Sequence, residues 1–172
     1  MTVVGCLGCD LIAGRRPLPG GILHRTASWV VSHVVGPLNV GTLVLSPLAH
    51  VTAIADLPDA ATAEFGPLLR RTTRVVEELG TPEQPYVCLW AHGPGHRRHL
   101  HFVVQPVTAD LVAAHGGLRS ERLQAAMLAA GVEPDPTEVE RFCAAARARF
   151  ADEDLPARGL AAPGEALRER GA

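Results

Sequence analysis

Residues 99–106, which read HLHFVVQP, alternate between two classes of side chain in the way that a β-strand requires. The even positions are apolar and form a face suited to a hydrophobic core. The opposite face carries His99 and His101, whose side chains lie about 6.5–7 Å apart along a strand. Packing alone does not explain two imidazoles on one face. The segment therefore predicts a core strand that carries a functional site.

The preceding loop, residues 93–98, reads GPGHRR and combines glycine with cationic side chains. Exposed backbone N–H groups and guanidinium groups both bind anions. We therefore predict a phosphate held beside a histidine, and this region supplies the candidate substrate contacts. They are His92, Gly95, His96, Arg97 and Arg98 in the loop, and Gln105 on the histidine-bearing face of the strand. For His92 and His96, the competing interpretation is a plain loop residue without a substrate contact.

The whole chain has 172 residues, 47% of them hydrophobic, which predicts one domain with a substantial core. Its net charge of −2 argues against a general nucleic-acid binder. The first residues do not resemble a signal peptide, and no apolar run is long enough to span a membrane. Four cysteines in such a chain suggest a reducing cytoplasm, with metal binding ahead of disulfides.

Apolar spacing and turn residues predict an α+β protein in which strands precede a helical C-terminal third. A long helix over 60–79 is expected to begin near a cap at Asp56 and to end at Gly80. The predicted strand at 41–46 is expected to end at Pro47. Strands are predicted at 22–24, 28–35, 41–46, 86–90 and 99–106, and further helices at 109–115, 120–130 and 137–150. The second and third strands form an antiparallel hairpin.

Cys6 and Cys9, separated by two residues, are a metal knuckle, a redox pair or a coincidence. A single short turn is expected after them. His50 and His99 would complete a tetrahedral zinc shell of two thiolates and two imidazoles. The competing interpretation is two reduced cysteines with unrelated histidines.

His101 is the candidate nucleophile, because a neutral imidazole oriented through its other nitrogen attacks phosphorus well. The competing interpretation is a partly buried structural histidine. The neighbouring histidines and arginines weigh against that interpretation. Other histidines and cysteines are expected on the surface or in packing: His24, His33, His115, Cys88 and Cys143.

The segment from Cys6 to Pro106 resembles the histidine-triad (HIT) superfamily, whose signature alternates histidines with apolar residues as residues 99–106 do. The order of motifs is also similar, with Cys-x-x-Cys, a hairpin ending in SPLAH at residues 46–50, a long helix, a strand and the signature. The resemblance implies a HIT-like fold, with an antiparallel sheet of about five strands, a long helix packed on it and C-terminal helices. It also implies a homodimer.

The resemblance further implies site roles and a reaction. It implies structural zinc on Cys6, Cys9, His50 and His99, with His101 as the nucleophile of a nucleotidyl-histidine intermediate. The expected function is hydrolysis of a nucleotide phosphoanhydride or phosphoramidate, as in a dinucleoside polyphosphate. The alternatives are a nucleotidyltransferase for a specialised substrate, and an inactive zinc-stapled ligand-binding protein of the same fold.

The chain departs from the superfamily pattern at several places. Cys88 and Gly95-His96 replace the Asn-rich and Gln-Ser region that usually precedes the signature. Val103 stands where the third histidine is usual, and Val34 stands where many members have an aspartate for the ribose hydroxyls. These departures predict either an unusual substrate or a loss of catalysis. The expected domain organisation is a HIT-like domain over 1–108, a helical extension of it over 109–150 and a loose tail over 151–172.

Overall fold

The computed structural model describes residues 2–91, 97–128, 131 and 133–152. Its centre is a five-stranded antiparallel sheet. The strands are β1 (Ile22–Arg25), β2 (Trp29–His33), β3 (Leu43–Pro47), β4 (Gln84–Trp90) and β5 (His101–Val107). Their order across the sheet is β1-β2-β3-β5-β4, so β1 and β4 are the edges. The predicted α+β class and the antiparallel sheet of about five strands are confirmed.

Five helices accompany the sheet in the residues that the structure describes. They are α1 (Leu7–Ile12), α2 (Asp59–Gly80), α3 (Ala109–Ala114), α4 (Glu121–Leu128) and α5 (Pro136–Ala151), with a short 3-10 turn over Ile54–Asp56. Among the described residues, no helix combines the length and the apolar character needed to cross a bilayer.

One face of the sheet forms the main core. The strand register places Val31, Leu45 and Phe102 side by side, because Val31 pairs with Leu45 and Leu45 pairs with Phe102. All three side chains are buried. Helix α2 covers this face with buried residues that recur at helical spacing, as one side of a helix requires. These residues are Ala61, Leu68, Thr72, Val75 and Val76.

Helix α5 completes the same core rather than forming a separate one. Val139, Cys143, Ala146 and Phe150 are buried in the cluster that contains the core strands. Its N-terminus begins at the cap Asp135, whose carboxylate accepts a hydrogen bond from the Thr137 N–H. The predicted boundary near residue 108 stays a prediction, and residues 153–172 of the expected tail lie outside the described residues.

The opposite face carries His101, and the described residues cover only part of it. Helix α4 packs Leu123 and Met127 against Val107 of β5 and forms a second, smaller cluster. Helix α1 lies over β2 and β3 on this face and lines a pocket beside His101. Within the described part of the chain, the sheet therefore separates the main core from a face that carries a pocket next to the candidate nucleophile.

Several predicted boundaries are wrong for local physical reasons. Strand β3 includes Pro47, which is tolerated at a strand end because no ladder N–H is required there. Asp56 does not cap α2, because it lies in the 3-10 turn and Pro58 occupies the cap position. The predicted end of α2 at Gly80 is confirmed, and the residue after it, Thr81, takes the left-handed conformation, with φ of 40°.

The secondary structure around the candidate metal ligands also differs from the prediction. Strand β5 begins at His101, so His99 lies just before the strand rather than within it. Cys6 and Cys9 do not precede a single short turn, because residues 7–12 form helix α1 and Cys9 lies inside it.

Candidate metal centre and active site

Four side chains from three distant parts of the chain converge at one end of the sheet. Cys6 and Cys9 come from the start of α1, His50 follows β3, and His99 precedes β5. One ligand atom of each lies within 4.8 Å of the others. Both cysteines are fully buried, and His99 is 4% exposed. The structure thus brings together all four residues that the sequence suggested as metal ligands.

The distances fit a tetrahedral zinc ion. The Sγ of Cys6 lies 3.4 Å from Nδ1 of His99, and the Sγ of Cys9 lies 3.4 Å from Nδ1 of His50 and 3.5 Å from Nδ1 of His99. Zn–S and Zn–N bonds of about 2.3 and 2.0–2.1 Å give a sulfur-to-nitrogen edge of about 3.6 Å in a tetrahedron. The donor set and its spacing are those of a structural Cys2His2 zinc site.

The protonation state of His99 suits a metal ligand. Its Nε2 lies 3.1 Å from the carbonyl oxygen of Pro47, which can only accept, so Nε2 carries the hydrogen and Nδ1 keeps its lone pair. Burial, helped by His50 and His101, lowers the pKa of His99 and holds the imidazole neutral. Pro47 therefore acts as the outer partner that orients this ligand.

Burial shifts the pKa of Cys6 in the opposite direction. It raises the pKa of the Cys6 thiol, because a thiolate loses solvation when it is buried. A cation in the cluster would reverse that preference, since a coordinated thiol is deprotonated. The chemistry of the donor set therefore agrees with the geometry, and zinc is the cofactor that the cluster fits.

Gly8, between the two cysteines, allows the helix to approach His99 closely. A Cβ placed on Gly8 would lie 2.7 Å from Cγ of the His99 ring, closer than such atoms come in real proteins. The requirement for glycine is not visible from the Cys-x-x-Cys spacing, because it depends on a ring 91 positions further along the chain.

His101 lies beside the metal cluster and is oriented by it. Its Nδ1 donates a hydrogen bond to the carbonyl oxygen of His99 at 2.9 Å. Because that oxygen can only accept, the hydrogen is on Nδ1, so the neutral form of this imidazole has its lone pair on Nε2. The backbone of a metal-ligand residue thus fixes the tautomer of the candidate nucleophile.

A pocket opens next to His101 between α1 and the sheet. Leu7 and Leu11 of α1 form one wall, and Val44 of β3 lies among the residues facing it. Arg97 brings positive charge to the same pocket. The remaining lining residues are Gly8, Val34, Val35, Ser46 and His99. The pocket can therefore hold an anionic group near His101 and an apolar group against α1.

The apolar wall was missed by the sequence analysis. Leu7 and Leu11 are four residues apart and so share one face of a helix, but that signal is readable only once residues 7–12 are known to be helical. Val34, noted only as a departure from the expected aspartate, is part of the same lining.

The other predicted substrate contacts are distributed differently. Arg98 is exposed and does not line the pocket. Gln105 is 1% exposed, and its Nε2 donates to the Met127 carbonyl oxygen at 2.8 Å, so its side chain lies beneath α4. His92, Gly95 and His96 lie outside the described residues. Among the described candidates, only Arg97 is brought to the pocket, and the substrate-binding roles stay predictions.

Comparisons with known proteins show which solved structures share this fold. No protein-family model matches the sequence, and no curated protein matches it. Among solved structures, the chain is similar to a zinc-bound histidine triad family protein from Mycobacterium smegmatis, with 19% identity and a TM-score of 0.60 over 85% of this chain and 93% of that one.

A histidine triad nucleotide-binding protein from Sulfolobus tokodaii gives 12% identity and a TM-score of 0.63 over 85% and 92% of the two chains. A HIT-like protein involved in cell-cycle regulation from Bartonella henselae gives 12% identity and a TM-score of 0.61 over 87% and 99%. The chain therefore has the histidine-triad fold. At such sequence identities, the similarity shows the fold alone and does not identify the reaction.

Proposed function

We propose that the chain is a HIT-like hydrolase that cleaves a nucleotide phosphoanhydride or phosphoramidate, of the dinucleoside polyphosphate type, through a nucleotidyl-histidine intermediate. The observation that carries this proposal is the hydrogen bond from Nδ1 of His101 to the carbonyl oxygen of His99. It puts the lone pair on Nε2 of a histidine that lines a pocket together with Arg97. A neutral, oriented imidazole beside a cation is the arrangement that nucleophilic attack on a phosphoryl group needs.

In the first step, Nε2 of His101 attacks the α-phosphorus, and a P–N bond forms while the bond to the leaving group breaks. The leaving group departs with the electron pair, and Arg97 balances charge on the phosphoryl oxygens. In the second step, water attacks the same phosphorus, the P–N bond breaks, and its electron pair returns to His101. For a phosphoanhydride, the products are a nucleoside monophosphate, the leaving group and a proton released to solvent. For a phosphoramidate, the departing amine takes a proton from solvent in the first step, and the attacking water returns one in the second.

Cys6, Cys9, His50 and His99 would hold zinc in this protein. When bound, the ion supplies the charge that keeps both thiols deprotonated, and its four protein ligands leave no position for a water molecule. Its contribution is then structural. It fixes His99, whose carbonyl oxygen accepts the hydrogen bond that orients His101.

A nucleotidyltransferase is the second candidate, favoured by one observation. Val103 is fully buried and occupies the position of the third signature histidine, so no imidazole is available there to assist a leaving group or a water molecule. In a transferase, an acceptor other than water would resolve the same intermediate. If neither acceptor reacts, an inactive ligand-binding protein on this fold is the remaining possibility.

The test is intact-protein mass spectrometry under non-denaturing conditions, before and after mixing with a panel of nucleotides and dinucleoside polyphosphates. We expect bound zinc and a mass gain of one nucleotidyl group, or its monophosphate product, with the wild type. His101→Ala should retain zinc and lose both. His115→Ala is the matched control, because His115 follows α3 outside the pocket and should react normally. Zinc with neither adduct nor product would contradict the proposal.

We further propose that the protein acts as a homodimer in the cytoplasm. The four cysteines are free, which suits a reducing compartment. Val87 and Leu89, both on edge strand β4, are each 43% exposed, and an apolar edge of this kind suits pairing with a second copy.

A further inference from the structure

A second pocket adjoins the first on the side toward β1. Its floor is the same face of the sheet, because Ile22 pairs with Ser32 and Ser32 pairs with Val44, and paired residues of antiparallel strands point to one face. Helix α1 and the loop after it cover this floor. We call the space the inner pocket, between the floor residues Ile22, Ser32 and Val44 and the covering residues Leu11, Ile12 and Leu18.

The inner pocket lies within reach of a ligand bound beside His101. Leu11, Val44 and Ser46 line both pockets, so the two spaces adjoin. From β5, which carries His101, the sheet crosses β3 to reach β2, and two strand spacings are about 9–10 Å. A ligand with its phosphate beside His101 can therefore extend its organic part over β3 toward Ser32 on β2.

Ser32 brings a hydroxyl group into an otherwise largely aliphatic part of the inner pocket. The residue is only 9% exposed, and its hydroxyl has no hydrogen-bond partner among the described residues. A buried hydroxyl without a partner costs free energy, and alanine would suit the aliphatic surroundings better. The fold gains nothing from this hydroxyl, which is therefore available to a bound ligand.

We propose that Ser32 is a specificity-determining residue whose hydroxyl hydrogen-bonds a polar edge atom of a nucleobase in the inner pocket. The inference rests on the proposed function, which puts the substrate phosphate beside His101. Apolar walls accept the faces of any flat ring, whereas a few placed polar groups give specificity. A hydroxyl both donates and accepts, so its bond strength depends on which ring nitrogen, amino or carbonyl group the base presents.

The test measures the affinities of nucleoside monophosphates for the zinc-loaded protein by isothermal titration calorimetry. AMP is compared with GMP, and CMP with UMP, because the members of each pair match in size and differ in their polar edges. We expect the wild type to prefer one member of at least one pair by about three- to tenfold, the effect of one hydrogen bond. In Ser32→Ala, that ratio should fall below about twofold.

Ser46→Ala is the matched control, because Ser46 is the other serine that lines the inner pocket but lies on β3, one strand nearer His101. All four nucleotides place the same phosphate at that end. We expect any change in affinity to be shared by the four, so that the ratios within the pairs keep their wild-type values. Circular dichroism and zinc content identify any variant that fails to fold.

A second measurement locates the base without depending on affinity. Nuclear Overhauser contacts should join protons of the bound base to the methyl groups of Ile22, which lies beside Ser32 on the floor of the inner pocket. The same contacts should persist in Ser32→Ala, because the apolar walls remain. Their absence in the wild type would place the base elsewhere and overturn the inference.

The outcomes separate this inference from the proposed function. Wild-type ratios below about twofold, or ratios unchanged in Ser32→Ala, overturn the role of Ser32 even if His101 forms a nucleotidyl adduct. Ratios that depend on Ser32, found with neither adduct nor product from any nucleotide, support the role of Ser32 while the proposed function fails. If the wild type binds none of the four monophosphates, both proposals are wrong.

Discussion

At the scale of single residues, Gly8 is the point where the metal cluster tolerates no side chain. Gly8→Ala would force the α1 backbone away from the His99 ring, because the new Cβ would lie 2.7 Å from its Cγ. We expect zinc affinity to fall by at least about tenfold, the size of effect seen when the support of a metal ligand is lost. Competition with a chromogenic chelator measures it.

The matched control for that substitution is Gly66→Ala. Gly66 also lies in a helix, but a Cβ placed there would meet nothing within 4 Å. We expect Gly66→Ala to leave zinc affinity unchanged and to raise the free energy of unfolding by about 0.5–1 kcal/mol. Equal zinc affinities in the two variants would show that close contact with His99 is unimportant.

His33 predicts how stability depends on pH. Its Nε2 accepts a hydrogen bond from the Gly41 N–H at 3.1 Å, and its Nδ1 donates to the Val34 carbonyl oxygen at 3.0 Å. Only the neutral imidazole can do both, and burial lowers its pKa below the ordinary 6.5. The unfolded chain therefore binds the proton more readily than the folded one, so His33 stabilises the fold above that ordinary pKa and loses this contribution as the pH falls below it.

We expect wild-type stability to fall more steeply than that of His33→Gln between about pH 7.5 and about pH 5.5, because glutamine does not titrate in this window. Urea unfolding of both proteins at each pH measures the difference. Protonation of the metal ligands affects both proteins alike and cancels in the comparison. Parallel pH profiles would contradict the assignment.

At the scale of elements, α1 belongs to two sites at once. It carries Cys6 and Cys9 at its start and also contributes Leu7 and Leu11 to the pocket. With only six residues, α1 is too short to be stable on its own. The metal is therefore expected to hold the pocket wall in place, although it contacts no substrate.

Removal of zinc by a chelator should accordingly release α1 and weaken nucleotide monophosphate binding by at least about tenfold. Hydrogen exchange should accelerate at residues 7–12, while α5, which is anchored in the main core, keeps its protection. Restoring zinc should reverse both effects. Unchanged protection of α1 in the metal-free protein would contradict this dependence.

The difference between local signals and contacts between distant segments explains how far the sequence could predict the structure. Helix α2 and the β2–β3 hairpin follow from apolar spacing and turn residues, which are local signals, and both were predicted nearly to their ends. The location of Gln105 could not be predicted, because only the placement of α4 shows that its amide meets the Met127 carbonyl oxygen. Gly8 likewise depends on a contact between distant segments.

At the scale of the whole molecule, edge strand β4 determines how the protein is expected to assemble. Val87 and Leu89 alternate with Cys88, so both project from the face of the sheet that α2 covers elsewhere. They are large apolar side chains beside the unpaired backbone of an edge strand. Exposed edges of this kind associate with a second chain unless charge prevents it.

We expect the wild type to be a dimer by size-exclusion chromatography with light scattering. Val87→Lys combined with Leu89→Lys should give monomers, because two lysines at a twofold interface face the same charges from the second copy. Ile54→Lys is the control, since Ile54 is 53% exposed and lies outside β4. A monomeric wild type would contradict the proposed dimer, and a dimer that survives both lysines would place the interface elsewhere.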